Sequence, residues 1–331
     1  MMECGGECME QGQLLNHLFD RLDQSASLIA EHERVSYLEA LCLTADNIYN
    51  SVIKQDALEA QLEPLYEDFF VEGMTGEDVR RALQLTILKG MKEASQPQHQ
   101  ITPDGIALFV SYLIDKLNLP DSYRLMDPVV GTGNLVTAIM NHASQKPGKA
   151  YGIEIDDLLI NVAHANINLQ QQDIELFHQD VLRSLLISPV DLVVADLPVG
   201  TYFNKENAKG FQTGQADEPY SHFLIIEQSL KYLNPTGYFV GLIPNQLFES
   251  DEQGVLRQLI KDEAYILGVL ELPQSFFKDT RYAKSILMLQ KKSDEVKPPE
   301  NALLAKLPSF KDQQAMINMM TKIDDWFKER N

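Results

Sequence analysis

The residues best suited to chemistry begin with Gly131-Thr132-Gly133, which follows an apolar run and precedes a helical one. Glycines let a backbone approach a ligand closely, and a helix start offers amide donors. About 20 residues on, Tyr151-Gly152-Ile153-Glu154-Ile155-Asp156 ends in carboxylates, where a second strand presents an acid to ribose hydroxyls. Asp180 follows a third strand candidate. Acids at successive strand ends beside a glycine loop make a nucleoside-type pocket. G-x-G alone is weak, because a tight strand–helix turn needs the same residues and the spacing is not G-x-G-x-x-G. Asp180 alone has a second, less favoured reading as a loop cap.

These residues need elements to position them. Strand candidates are 123–127, 150–155, 174–178, 191–195, 237–243, 265–271 and 285–290, with helical stretches at 103–117, 133–145, 156–169 and 219–233. Such alternation predicts a mostly parallel sheet covered on both faces. The last two strands are joined by Pro273–Lys284 with no clear helix, which predicts an antiparallel pairing at one edge. Residues 14–95 have helical periodicity instead, in stripes such as Leu14, Leu15, Leu18 and Phe19. Thr75-Gly76-Glu77-Asp78 leads into a helix with acids at its start, as the dipole prefers. Three segments follow: a helical domain at 1–95, an α/β domain at 96–293, and a linker and helix at 294–331.

Composition narrows the class. The 331 residues are 44% hydrophobic and 23% charged, ordinary for a globular chain. No apolar run reaches the roughly 18 residues of a membrane span. Through Gln13 the N-terminus carries Glu3, Glu7 and Glu10 and no Lys or Arg, unlike a secretion signal, and the expected location is the cytoplasm. Three cysteines fit a reducing compartment, with Cys4 and Cys8 a weak metal or redox pair. Net charge is −20, and residues 1–95 hold 7 Lys/Arg against 18 Asp/Glu, a net −11. Nucleic acid is held mainly by Lys and Arg at phosphates, so unaided duplex binding should be weak. The acidic helical block reads as a structural or partner-docking unit. Lys278, Arg281, Lys284, Lys291 and Lys292 form the best phosphate-contact cluster, although such runs also serve as solvated surface.

The order of these segments resembles the class I S-adenosylmethionine-dependent methyltransferases, and more closely the modification-subunit branch of the adenine-specific DNA methyltransferases. His99-Gln100-Ile101-Thr102-Pro103 resembles the segment before the first strand that contacts cofactor. Asp127-Pro128-Val129-Val130-Gly131-Thr132-Gly133-Asn134 resembles the glycine motif, Tyr151–Glu154 the ribose acid, and His178-Gln179-Asp180-Val181-Leu182 the adenine-side acid. Asp191-Leu192-Val193-Val194-Ala195-Asp196-Leu197-Pro198 resembles the catalytic strand and its exit, and 270–289 the closing strands. The resemblance spans about residues 99–292. It implies a Rossmann-like, seven-stranded methyltransferase sheet, mostly parallel with an antiparallel edge strand, behind an α-helical domain. It also implies S-adenosylmethionine as cofactor, contacted by Thr102, Pro103, Asp127, Pro128, Gly131, Thr132, Gly133, Asn134, Glu154, Ile155, Asp180 and Val181.

The family's catalytic pattern is Asp or Asn, Pro, Pro, then an aromatic residue. The first side chain and the next carbonyl accept hydrogen bonds from the adenine amine, whose lone pair is otherwise delocalised into the ring. The aromatic residue stacks on the flipped base. Here the tetrapeptide is Asp196-Leu197-Pro198-Val199. The carboxylate and a carbonyl remain, but Leu197 lacks proline's fixed φ and Val199 cannot stack. Tyr202 or Phe203, folding back, are the replacements in reach, on a glycine-bearing segment (201–223) that reads as a mobile loop over the site. The resemblance implies methyl transfer to an exocyclic adenine amine, most directly in DNA, carried by Asp196, Leu197 and Pro198 without a metal. Only 38 residues follow Ser293, few for a target-recognition domain, so sequence-specific reading would need a partner. Open alternatives are a non-catalytic S-adenosylmethionine-binding or interaction protein, a methyltransferase acting on protein or RNA, and, least supported, a dehydrogenase.

Overall fold

The computed structural model describes residues 11–94 and 101–330; Cys4, Cys8, His99 and Gln100 lie outside them. Four helices come first: α1 (Gln11–Glu33), α2 (Tyr37–Asn50), α3 (Glu59–Tyr66) and α4 (Gly76–Ala94). Ser36 and Glu39 form a reciprocal capping box at α2, which satisfies two orphan donors of its first turn. Leu18, Leu22, Ile29, Leu38, Leu41, Leu62, Leu83 and Ile87 close a core between these helices.

The α/β unit follows as α5 (Asp104–Ile114), β1 (Arg124–Asp127), α6 (Asn134–His142), β2 (Lys149–Glu154), α7 (Asp157–Leu169), β3 (Ile174–His178), β4 (Val190–Asp196), α8 (Lys205–Ala208), α9 (Ser221–Tyr232), β5 (Leu233–Pro244), α10 (Val255–Glu263), β6 (Ala264–Glu271), β7 (Lys284–Lys291), β8 (Leu303–Lys306) and α11 (Gln313–Arg330). The sheet order is β3-β2-β1-β4-β5-β7-β6-β8. Strand side chains alternate between faces. Leu192 and Val194 enter the core under α5, α6 and α11, while Val193 and Ala195 enter the opposite core under α9 and α10.

Two expectations need correction. The sheet has eight strands, not seven. The expected antiparallel pairing of 265–271 with 285–290 is present as β6 with β7, but β7 lies inside the sheet because β5 and β6 flank it, and β8 pairs parallel to β6 as the edge strand. β8, Leu303-Leu304-Ala305-Lys306, is four residues long with alternately half-buried and exposed side chains, too short to show a strand period in the sequence. Beyond it, Ile323 and Phe327 of α11 are buried in the main core.

The helical unit docks chiefly through α7. Val162, Ala165 and Leu169 enter the helical core, while Ala163 and Ile167 enter the core of the sheet. The carboxyl ends of β1, β2, β3 and β4 then lie along one edge of the sheet and present Asp127, Glu154, Asp180 and Asp196, the edge at which such sheets bind ligands.

Candidate active site

The glycine loop is built as its sequence requires. Gly131 and Gly133 have φ of +55° and +80°, a region that side-chain-bearing residues avoid. The loop is tied to β2, since Val130 N–H donates to Ile153 O at 2.9 Å and Gly131 N–H to Glu154 Oε2 at 2.9 Å. Glu154 Oε1 also accepts from the amides of Ile155 and Asp156, both at 2.9 Å. A carboxylate has about four lone-pair sites, so about one remains on Glu154 for a ribose hydroxyl. Ile155 is 63% exposed beside it, an apolar surface at the pocket rim.

Asp127 is buried at the end of β1 and accepts from Val129 N–H at 3.1 Å. Burial first, then the charges of Asp196 and Glu154, push its pKa up to about 8. A buried carboxyl that feels two neighbouring carboxyl groups suits a ligand that brings positive charge. S-adenosylmethionine, with an ammonium and a sulfonium, fits those acceptors.

Asp180 accepts from Leu182 N–H at 3.0 Å and from the Tyr202 hydroxyl at 2.5 Å. Tyr202 is therefore engaged with Asp180 and does not fold back on the tetrapeptide; Phe203, 93% exposed, does not either. Val181 points into the core, and its carbonyl accepts from Gln228. The 201–223 segment carries α8 and is pinned by buried Glu227, which accepts from the amides of Gln212 and Thr213.

On the acceptor side, β4 ends at Asp196. Its Oδ2 accepts from the Thr102 hydroxyl at 2.8 Å, and its Oδ1 from Lys284 Nζ at 2.5 Å. The same Nζ donates to Leu197 O at 3.0 Å. Lys284 is therefore part of the site and not of a phosphate-binding strip. Of its neighbours in that cluster, Lys291 turns inward and caps the Leu230 and Leu233 carbonyls, while Lys292 reaches Lys261 O at the surface. Lys278 and Arg281 stay exposed, the latter paired with Asp279. Pro198 and Val199 are exposed where the chain leaves the sheet. The exit is braced by an antiparallel bridge from Thr201 to Tyr220, whose ring stacks on His222 at 5.2 Å. Burial, and next the Lys284 charge, push His222 down to about 4, so its imidazole is neutral at physiological pH.

Sequence reasoning missed a strut from the helical unit. Arg80 of α4 is fully buried and ion-paired with Glu77 and Asp104, both at 2.6 Å. Its Nη1 donates to Asn134 Oδ1 at 2.9 Å, and Asn134 Nδ2 donates to Thr102 O at 2.8 Å. The path Arg80–Asn134–Thr102–Asp196 thus joins the helical unit, the start of α6 and the exit of β4. Pro103 follows as the N-cap of α5, and its carbonyl accepts from Ile106 and Ala107. Pro128 and Thr132 are buried in the loop. An arginine inside an apolar helical stripe was the available signal.

Known proteins resemble this chain in sequence and fold. The family described as N-6 DNA Methylase matches residues 91–330, and that described as YtxK N-terminal helical domain matches residues 16–91. The uncharacterized protein YtxK of Bacillus subtilis is 45% identical over 321 residues, 94% of this chain and 97% of its own. A candidate class I S-adenosylmethionine-dependent methyltransferase from Listeria monocytogenes superposes with a TM-score of 0.89 at 37% identity, covering 96% of this chain and 99% of that one. A type I restriction-modification methyltransferase subunit from Streptococcus thermophilus shares the fold, with a TM-score of 0.65 at 16% identity over 96% of this chain and 74% of its own. Among the described residues no helix is long and apolar enough to cross a membrane. The match over residues 91–330, with relatives of this length and fold, makes this chain a member of the N-6 DNA methylase family, a class I methyltransferase fold whose cofactor is S-adenosylmethionine.

Proposed function

We propose that this chain methylates the exocyclic amine of adenine, with DNA as the substrate. The observation that carries the reading is the convergence of two acceptors from adjacent residues, Asp196 Oδ1 and Leu197 O, on a single nitrogen. That pairing is what a planar amine needs to become pyramidal, and it survives the loss of the first proline of the tetrapeptide. The cofactor, when bound, supplies an electrophilic methyl group. Asp127, Pro128, the 131–134 loop, Glu154 and Ile155 would hold it, with Asp180 and Val181 on its adenine side and Thr102 and Pro103 closing the pocket. Asp196 and the Leu197 carbonyl orient the acceptor, Thr102 fixes the Asp196 carboxylate, and Pro198 shapes the exit. Catalysis is then mainly alignment. Tyr220, paired with the exit and partly exposed, is the aromatic residue available to stack where Val199 cannot.

A net charge of −20 makes duplex binding weak without help, and the acidic helical unit is the surface for a protein partner that supplies it. A second reading is a non-catalytic S-adenosylmethionine-binding protein; the Lys284 contacts with both acceptors favour it. Incubation with methyl-labelled cofactor and unmodified genomic DNA tests the first reading. Label should enter adenine in wild type and fall at least about 100-fold in Asp196→Ala, a loss typical of removing one oriented polar group at the reacting centre. Cofactor binding without any label in nucleic acid would leave the second reading.

A further inference from the structure

We propose that the Lys284 ammonium occupies the acceptor subsite itself, standing where a substrate amine would stand, so that a base enters only by displacing it. The inference rests on the acceptor assignment of Asp196 and Leu197. Lys284 Nζ lies 2.5 Å from Asp196 Oδ1 and 3.0 Å from Leu197 O. A simple ion pair needs only the first contact. Asp196 Oδ2 already has the Thr102 hydroxyl, and the Leu197 carbonyl carries no net charge to neutralise. One nitrogen donating to both is the hydrogen-bond pattern of an amine held for attack.

The reach is long. Lys284 pairs with Pro244 of β5, while Asp196 pairs with Leu242 on the other side of that strand. The side chain therefore crosses the end of β5 to arrive at β4. It is 15% exposed on arrival, so the ammonium is largely withdrawn from water. Lysine suits such an occupant, because three rotatable donors sit on a flexible four-carbon stem that can swing out without moving β7.

Two measurements on the full chain test this. The first is amine rescue, read as melting temperature with propylammonium as probe. Lys284→Ala should be stabilised by several degrees at concentrations that move neither wild type nor the Lys284→Ala, Asp196→Asn double variant. Equal responses in all three proteins would overturn the proposal. The second compares single-stranded dA12 with dT12, which lacks an exocyclic amine, by fluorescence anisotropy. Removing an occupant that fills the subsite about nine-tenths of the time raises apparent affinity about tenfold. That gain is expected for dA12 alone. Amine rescue without a dA12 gain keeps the Lys284 assignment and defeats the adenine reading; no rescue and no gain defeats the Lys284 assignment. Where Lys284→Ala does not fold, Lys284→Ser replaces it in both measurements.

Discussion

The two halves of the site are held in opposite ways. On the cofactor side, Glu154 is fixed by three backbone amides and the loop by two positive-φ glycines. On the acceptor side, Asp196 is fixed by two side chains, Thr102 and Lys284. A backbone amide cannot leave without unfolding a loop, whereas a lysine leaves by changing rotamer. The contrast teaches that one half is permanent geometry and the other is adjustable.

The comparison can be broken most severely at the strut that both halves share. Arg80→Met leaves Glu77 and Asp104 without their buried cation, and losing one partner of such a network costs about 3–5 kcal/mol. Chemical denaturation should show that loss, with cofactor affinity falling as Asn134 loses its partner. A destabilisation under about 1 kcal/mol would mean the guanidinium is not needed there.

A smaller effect separates the halves. Glu154→Ala should weaken S-adenosylmethionine binding by about 1–3 kcal/mol in calorimetry. Asp196→Ala should change it by much less. Equal losses would collapse the distinction between the two sides.

The finest test is pH. Asp127 is raised to about 8, above its unfolded value, so protonated Asp127 belongs to the folded state. Its contribution is fully present below the ordinary carboxylate range and is lost as pH rises toward 8. Without cofactor, wild type should therefore lose stability over that window. Asp127→Asn should show a flatter pH dependence of melting temperature there. A slope unchanged by the substitution would place the titration elsewhere.

Much of this was legible beforehand because it is local. The glycine loop, the acid one strand later and the strand–helix alternation each occupy a short window with a definite period. The strand that made the count eight was not legible, because β8 is short, follows Pro298 and Pro299, and exposes half its side chains. Helix α10 lay hidden likewise, nine residues long after the positive-φ Gly254. Lys284 read as a phosphate contact or solvated surface because its partner stands 88 residues earlier, and Arg80 went unnoticed because Asn134 comes 54 residues later. Pairings set by tertiary packing leave no periodic trace in the sequence.

Helix α7 has a consequence for how the chain is made. It gives Val162, Ala165 and Leu169 to the helical core and Ala163 and Ile167 to the core of the sheet. On the ribosome the first four helices emerge well before it. Until residues 157–169 arrive, the nascent helical unit carries an uncovered apolar stripe, a surface that chaperones recognise. Once α7 is seated, lifting it away from either core uncovers apolar residues that belong to the other, so this one helix couples the two units.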